Sequence, residues 1–237
     1  MKNLIAQAIM RLSLVFGMLL CAHMGFANAI WSQPITTNST GIILGATHVS
    51  STLSGWCMAE DFELPYAATI HAVKWWGGSA NKIITLGDDY SISTNLFHLT
   101  FYTARYDSHR YLPGNPLFEK QGEVIGRLVG TNQLGGLVYC YELDVGSELL
   151  LAPGARYFLS IQHMTEEQWG WQDTQSQGSF LENAVLSISG LGFTWIDFFP
   201  KTDLAFELIV PEPKPEVLVL LAVAMVGIWV LRPFHFR

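Results

Sequence analysis

Residues 157–162 read Tyr-Phe-Leu-Ser-Ile-Gln, and in this stretch Tyr157, Leu159 and Ile161 alternate with the three residues between them. Successive side chains of a β-strand point to opposite faces of a sheet, whereas those of a helix repeat about every 3.6 residues. The same period of two occurs at residues 70–75 and 99–103. The alternation therefore predicts strands at all three places.

Turn-forming residues separate the predicted strands. Gly and Pro interrupt the pattern at residues 77–78, 113–116, 135–136 and 153–154, and both residue types favour turns. About nine to eleven strands without long helices between them predict an all-β domain, an antiparallel β-sandwich of jelly-roll-like architecture. This domain is expected at residues 30–209, because its last strand stops just before a proline-containing segment.

The apolar residues of the chain concentrate at its two ends. Hydrophobic residues make up 50% of the 237 residues, and residues 1–29 and 214–237 are dominated by them. Between these ends, residues 30–213 carry 8 basic and 19 acidic residues, a formal net charge of −11. A surface with that charge repels nucleic-acid phosphates. We therefore expect no nucleic-acid partner.

The first 29 residues have the pattern of a secretion signal. Lys2 and Arg11 supply positive charge, residues 12–22 are an apolar run of 11, and Ala27 and Ala29 are the small residues that signal peptidase reads. An uncleaved transmembrane helix is the alternative, but the apolar run is about half the length that a membrane span needs. We predict a signal peptide at residues 1–29 with cleavage after Ala29.

The last 28 residues have three parts. They begin with the acidic, proline-flanked peptide Val210, Pro211, Glu212 and Pro213, continue with an apolar stretch at residues 217–231, and end with a segment that contains Arg232 and Arg237. Proline holds the backbone extended and cannot donate a sheet hydrogen bond, so the peptide is expected to be accessible. The apolar stretch predicts a transmembrane helix, and the two arginines predict a cytoplasmic end.

This tail resembles the PEP-CTERM sorting domain, which is also described as an ice-binding-protein C-terminal motif. The resemblance implies recognition by an exosortase, a membrane-embedded protease or transpeptidase, with cleavage near Pro-Glu-Pro and delivery of the body to the cell exterior. The chain departs from the family pattern in two places: residues 233–236 separate the two arginines, and residues 214–216 lengthen the polar segment before the helix. A simple C-terminal anchor without processing is the alternative.

The body is similar to the β-sandwich bodies of other PEP-CTERM proteins, and this likeness implies a fold only. It covers most of residues 56–208. The motifs that carry it are Asp61-Phe62, Leu64-Pro65, Trp75-Trp76-Gly77-Gly78, Phe101-Tyr102, Pro113-Gly114, residues 157–161, Trp169-Gly170-Trp171 and Asp203-Leu204-Ala205-Phe206.

Two cysteines, Cys57 and Cys140, remain after removal of the predicted signal peptide. Export places them in an oxidising compartment, where disulfides form. A bridge between them would close a loop of about 80 residues and contribute roughly 4 kcal/mol by chain entropy. We favour this disulfide over the alternative of two separately buried thiols.

Motifs of catalysis and metal binding are sparse. The sequence has no Gly-x-Ser-x-Gly, His-Glu-x-x-His or Cys-x-x-Cys motif and no glycine-rich phosphate loop. Asp88 and Asp89, in a Gly-Asp-Asp-Tyr turn, offer oxygen ligands for a structural Ca²⁺. The alternative for this pair is a solvated turn, and no other cofactor is expected.

Tryptophan is the residue type with a functional implication. Trp75 and Trp76 are adjacent, so a strand would send them to opposite faces, whereas Trp169 and Trp171 would share one face. Members that line an exposed groove could stack on sugar rings. We favour packing between the sheets over the exposed groove for these residues, because tryptophan commonly fills that space.

The sequence therefore predicts an exported envelope protein of Gram-negative type, held briefly in the inner membrane and then placed on the cell surface or outside the cell. Signal peptidase and an exosortase are the expected processing partners. A non-enzymatic binding or matrix module for extracellular polysaccharide is the first functional hypothesis. A secreted carbohydrate-active hydrolase and a purely structural surface protein are the two alternatives.

Overall fold

A computed structural model describes residues 29–79, 94–107, 109–165, 168–174, 184–188, 195–197 and 203–211. Within these ranges the chain forms strands and turns and no helix. The strands are β1 (Ala29–Gln33), β2 (Thr47–Val49), β3 (Trp56–Glu63), β4 (Ala68–Ser79), β5 (Thr94–Asp107), β6 (Arg110–Ile125), β7 (Arg127–Thr131), β8 (Leu137–Leu151), β9 (Arg156–His163), β10 (Trp169–Thr174), β11 (Val185–Ile188), β12 (Trp195–Asp197), β13 (Asp203–Leu204) and β14 (Phe206–Ile209).

The described strands form two sheets, and every strand pair in them is antiparallel. In the first sheet the long strand β4 pairs with β8 on one side and with β14 and β10 on the other. Strands β1, β2, β7 and β13 extend that sheet at its margins. The second sheet has the order β12-β11-β3-β9-β5-β6. The prediction of an all-β domain built from antiparallel sheets is confirmed.

The main hydrophobic core contains side chains from both sheets. Phe62 from the second sheet and Phe206 from the first have ring centroids 5.9 Å apart in an edge-to-face arrangement. Phe97 of β5 likewise meets Trp75 of β4 at 5.0 Å. Edge-to-face aromatic pairs are favourable beyond the area they bury. The two sheets are therefore packed face to face around an aromatic core.

The titratable side chains of Glu60 and His163 lie in this interior. Glu60 is 1% exposed, and its Oε2 accepts a hydrogen bond of 2.8 Å from the backbone N–H of Leu204. Burial, followed by the charges of Asp61 and Asp203, raises its pKa well above the usual range. His163 stacks on Trp169, and burial lowers its pKa to about 4.

At one side of the domain the chain passes from one sheet to the other within a single residue. Strand β6 is the edge of the second sheet and ends at Ile125, and β7 of the first sheet begins at Arg127. A Cβ on Gly126, the residue between them, would lie 2.6 Å from the ring of Tyr141. Only glycine fits this close approach without displacing that ring.

The predicted terminal segments fall largely outside the described residues. Strand β14 ends at Ile209, Val210 packs partly buried against the core, and Pro211 is exposed. Ala29 opens β1, whereas Ala27, Glu212, Pro213, Arg232 and Arg237 are not among the described residues. No helix in the described ranges has the length and apolar character needed to cross a membrane.

Candidate functional site

A cleft of about 410 Å³ opens on the outer face of the second sheet. Tyr102 and Trp195 supply aromatic lining, and Cys57, Gln162 and Ser187 supply polar lining. Thr52 and Gly55, from the loop before β3, complete it. Ligand pockets commonly measure about 300–1,000 Å³ and combine aromatic surface with a few polar groups. The cleft has the size and composition of a small-ligand site.

Strand register brings three of these side chains into one row. Ser187 of β11 pairs with Cys57 of β3 on one side and with Trp195 of β12 on the other. Residues in register on neighbouring strands point to the same face of a sheet. The neighbouring positions Met58 and Leu186 point the other way, into the main core. Alternation thus directs the cleft residues outward.

The aromatic lining combines residues that are distant in sequence. The rings of Tyr102 and Trp195 have centroids 5.9 Å apart and an interplanar angle of 76°. Both side chains are half-buried, so part of each remains accessible to a ligand. Burial, with a smaller effect of Cys57, raises the pKa of the Tyr102 phenol to about 12. The phenol is therefore a neutral hydrogen-bonding group over the physiological pH range.

The thiol of Cys57 is also neutral. Its Sγ lies 3.0 Å from Oγ of Ser160. Burial raises the pKa of this thiol to about 12, and the hydrogen bond with Ser160 opposes the shift only in part. Because the thiolate is the nucleophilic and metal-binding form of cysteine, Cys57 is a weak hydrogen-bonding group here and not an activated nucleophile.

The polar lining contains one hydroxyl whose hydrogen bonding is incomplete. Ser187 is 2% exposed, and its Oγ has no hydrogen-bond partner among the described residues. By contrast, Nε2 of Gln162 donates to the backbone oxygen of Trp56 at 3.1 Å. A buried hydroxyl without a partner costs about 1–3 kcal/mol relative to a satisfied one.

Comparison with known proteins places the whole two-sheet body in one family. A family model described as a domain of unknown function, DUF7901, matches residues 29–209. The chain belongs to the DUF7901 family. The match begins at the first residue of β1 and ends at the last residue of β14. No curated protein and no solved structure matches the chain.

The four tryptophans that the sequence suggested as sugar-stacking residues are all buried in the DUF7901 domain. Trp75, Trp169 and Trp171 lie in the main core with exposures of 0–1%, and Trp76 is 5% exposed on the outer side of the first sheet. The predicted split of Trp75 and Trp76 and the shared face of Trp169 and Trp171 are correct. For Trp75, Trp169 and Trp171 the favoured interpretation, packing between the sheets, is confirmed. The alternative role of the four tryptophans in an exposed groove is wrong, because packing covers each ring.

The predicted disulfide between Cys57 and Cys140 is also wrong. Both cysteines are free. Cys57 lines the cleft on the outer face of the second sheet, whereas Cys140 packs with Trp76 and Val138 in a cluster outside the first sheet. The main core lies between these two outer faces, so the bridge cannot form without rearrangement of the sheets.

The predicted calcium ligands Asp88 and Asp89 lie outside the described residues. Within the described ranges, no group of three or more His, Cys, Asp or Glu side chains has the arrangement of a metal site.

Sequence reasoning missed the residues that form the cleft. Trp195 stands in a three-residue strand, too short to show a period of two. Tyr102 belongs to an alternating stretch, but the neighbouring sequence does not show which face of that strand meets Trp195. One signal in the sequence could have pointed to the cleft. The outward-facing residues of the stretch 157–162 include Ser160 and Gln162, which interrupt an otherwise apolar strand.

Proposed function

We propose that the DUF7901 domain of this chain is a non-enzymatic binding or matrix module that holds extracellular polysaccharide in the cleft. The observation that carries the proposal is the pair formed by Tyr102 and Trp195 beside uncharged polar groups. Sugar rings have apolar C–H faces and polar hydroxyl edges. Aromatic rings pack against the apolar faces of a sugar, and hydroxyl and amide groups bind its hydroxyl edges.

Several features support a groove of this kind. The ring of Trp195 is only half-buried, so it can receive a ligand face. The lining strands β3, β9 and β11 are interior strands of the second sheet, which gives the site a rigid base. We also propose that the two sheets are connected as in a jelly roll. This connection would leave the outer face of the second sheet open to solvent.

A hydrolase would need different groups. Glycoside hydrolysis generally uses two carboxyl groups about 5–10 Å apart across the bond that breaks. The described lining of the cleft consists of Thr, Gly, Cys, Tyr, Gln, Ser and Trp. These groups can hold a sugar, and we therefore assign the cleft to binding. Release of reducing ends from a bound polysaccharide would instead favour the hydrolase.

Glycan-array screening tests the binding proposal. The full-length chain, purified in a detergent without a sugar headgroup, should bind at least one class of polysaccharide. Replacing Trp195 with Ala should weaken that binding about tenfold or more, as loss of a stacked aromatic would. Tyr66→Ala is the matched control, since Tyr66 is an exposed aromatic outside the cleft. No binding to any glycan would reject the proposal in favour of a purely structural surface protein.

We further propose that this domain reaches the exterior by sorting. The signal peptide at residues 1–29 would direct export, and the tail at residues 210–237 would hold the protein in the inner membrane until an exosortase acts at the Pro-Glu-Pro. The exposed Pro211 directly after the core-packed Val210 supports access to this peptide. A simple membrane anchor is the competing role of the tail.

Replacement of Glu212 with Ala tests the sorting proposal in the native host. The mature wild-type protein should lack most of residues 212–237 by mass spectrometry, and the variant should keep them and stay in the membrane fraction. Glu216→Ala is the matched control, since Glu216 is an acidic residue of the same tail outside the four-residue motif. Equal processing of wild type and Glu212→Ala would contradict exosortase recognition.

A further inference from the structure

The unsatisfied hydroxyl of Ser187 distinguishes the cleft from an ordinary surface depression. Its Oγ is buried and lacks a hydrogen-bond partner among the described residues, although Ser187 lines the cleft. Buried polar groups in folded proteins are nearly always hydrogen-bonded, and a group left open at a concave site is a position where a ligand can supply the missing bond.

The described lining of the cleft carries no formal charge. Cys57 and Tyr102 could ionise in principle, but burial keeps both neutral at physiological pH. Gln162, Ser187, Thr52 and Trp195 do not titrate in that range.

Among the described lining residues, no charged side chain would compensate a charged sugar for the water that it loses on entering the cleft. A uronate or a sulfate needs a cation, and an amino sugar needs an anion, to offset the loss of hydration. The body of the protein adds a second barrier for acidic glycans, because residues 30–213 carry a formal net charge of −11 and repel polyanions. The first effect disfavours sugars of either charge, and the second adds to it for acidic glycans.

We propose that the cleft selects uncharged sugar residues and that Ser187 is the specificity-determining residue, bound to a ligand hydroxyl that completes its hydrogen bonding. This inference rests on the proposed function and narrows its ligand class. A sugar hydroxyl can both donate and accept, as can the hydroxyl of serine, so the two groups match whichever way the bond runs. One face of the same sugar ring would lie against the ring of Trp195.

Ser187→Ala separates a ligand-binding role from a structural one. The variant should bind neutral glycan about tenfold more weakly, because it loses one buried hydrogen bond to the ligand. Its melting temperature without ligand should stay the same or rise, because the substitution removes a buried unsatisfied group. Ser32→Ala is the matched control: this serine bonds Glu207 on the first sheet, and its loss should leave glycan affinity unchanged.

The decisive measurement compares a panel of neutral polysaccharides, such as dextran, laminarin and mannan, with alginate and chitosan. We expect at least one neutral member to bind and the two charged polymers to bind at least about tenfold more weakly. Tight binding of alginate or chitosan that Trp195→Ala abolishes would overturn neutral selectivity while leaving the polysaccharide-binding function intact. Unchanged affinity in Ser187→Ala would overturn the role of Ser187. Failure of every glycan to bind would remove the proposed function and this inference with it.

Discussion

The carboxyl group of Glu60 on β3 accepts a 2.8 Å hydrogen bond from the backbone N–H of Leu204 on β13, and this bond joins the two sheets through the interior. The second oxygen, Oε1, is buried without a hydrogen-bond partner in the described part of the chain. Burial of the side chain favours the protonated, neutral acid. Glu60 therefore binds its proton more tightly in the folded protein than in the unfolded chain.

The first prediction concerns stability above the ordinary pKa of glutamate. The unfolded chain releases the Glu60 proton at a pH where the folded protein retains it, so the unfolded state binds fewer protons and the free energy of unfolding falls as pH rises. Glu60→Gln removes this titration and keeps an oxygen for Leu204. The melting temperature of this variant, measured relative to that of the wild type, should therefore increase progressively as pH rises above the ordinary pKa of glutamate. Glu123→Gln, at an exposed site on β6, is the control, and its melting temperature should differ from that of the wild type by the same amount at every pH. If the melting temperatures of both variants changed with pH in parallel, the prediction would be contradicted.

The second prediction concerns acid. His163 has its pKa lowered from 6.5 to about 4 by burial, so between these values the unfolded chain binds a proton that the folded protein does not. The free energy of unfolding should therefore fall as pH decreases from 6.5, with a total loss of roughly 3 kcal/mol once pH is below 4.

Urea unfolding of His163→Gln checks this acid dependence. The stability deficit of the variant should shrink by about 2.5 kcal/mol between pH 7.5 and 4.5, because only the wild type loses stability through this group. His71→Gln is the control, at a half-exposed histidine of β4. A deficit for His163→Gln that does not vary with pH would show that its role is packing alone.

The third prediction is that the mature protein contains free thiols. Burial raises the pKa of both Cys57 and Cys140, so both should react slowly with iodoacetamide at pH 8 in the folded state. After unfolding in urea without a reductant, peptide mapping should find both residues alkylated. A linked peptide pair containing the two would contradict the structure.

The fourth prediction concerns the tryptophans of the core. Trp171 is fully buried, and its Nε1 donates to the backbone oxygen of Ala205 at 2.9 Å. Trp171→Ala should lower the free energy of unfolding by about 3–5 kcal/mol, as large-to-small core substitutions do. Tyr66→Ala, at an exposed aromatic, should cost far less. Equal losses in chemical denaturation would place Trp171 outside the core.

The period of two in the sequence was sufficient to predict the fold class, because it depends only on neighbouring residues. It also assigned Trp75 and Trp76 to opposite faces correctly. The site depends on pairing between distant strands, and no local pattern encodes that pairing. Cys57 illustrates the difference: its strand was predictable, but its neighbours Ser160 and Ser187 come from β9 and β11. The disulfide prediction failed for the same reason, because composition and compartment do not specify which outer face a cysteine occupies.

The single-residue passage from β6 to β7 has a mechanical consequence. Side-chain packing joins the two layers only through non-covalent contacts, and the hydrophobic attraction between apolar groups has no preferred direction. At this margin the layers share a covalent backbone through Gly126, so a load applied to one is carried into the other along the chain.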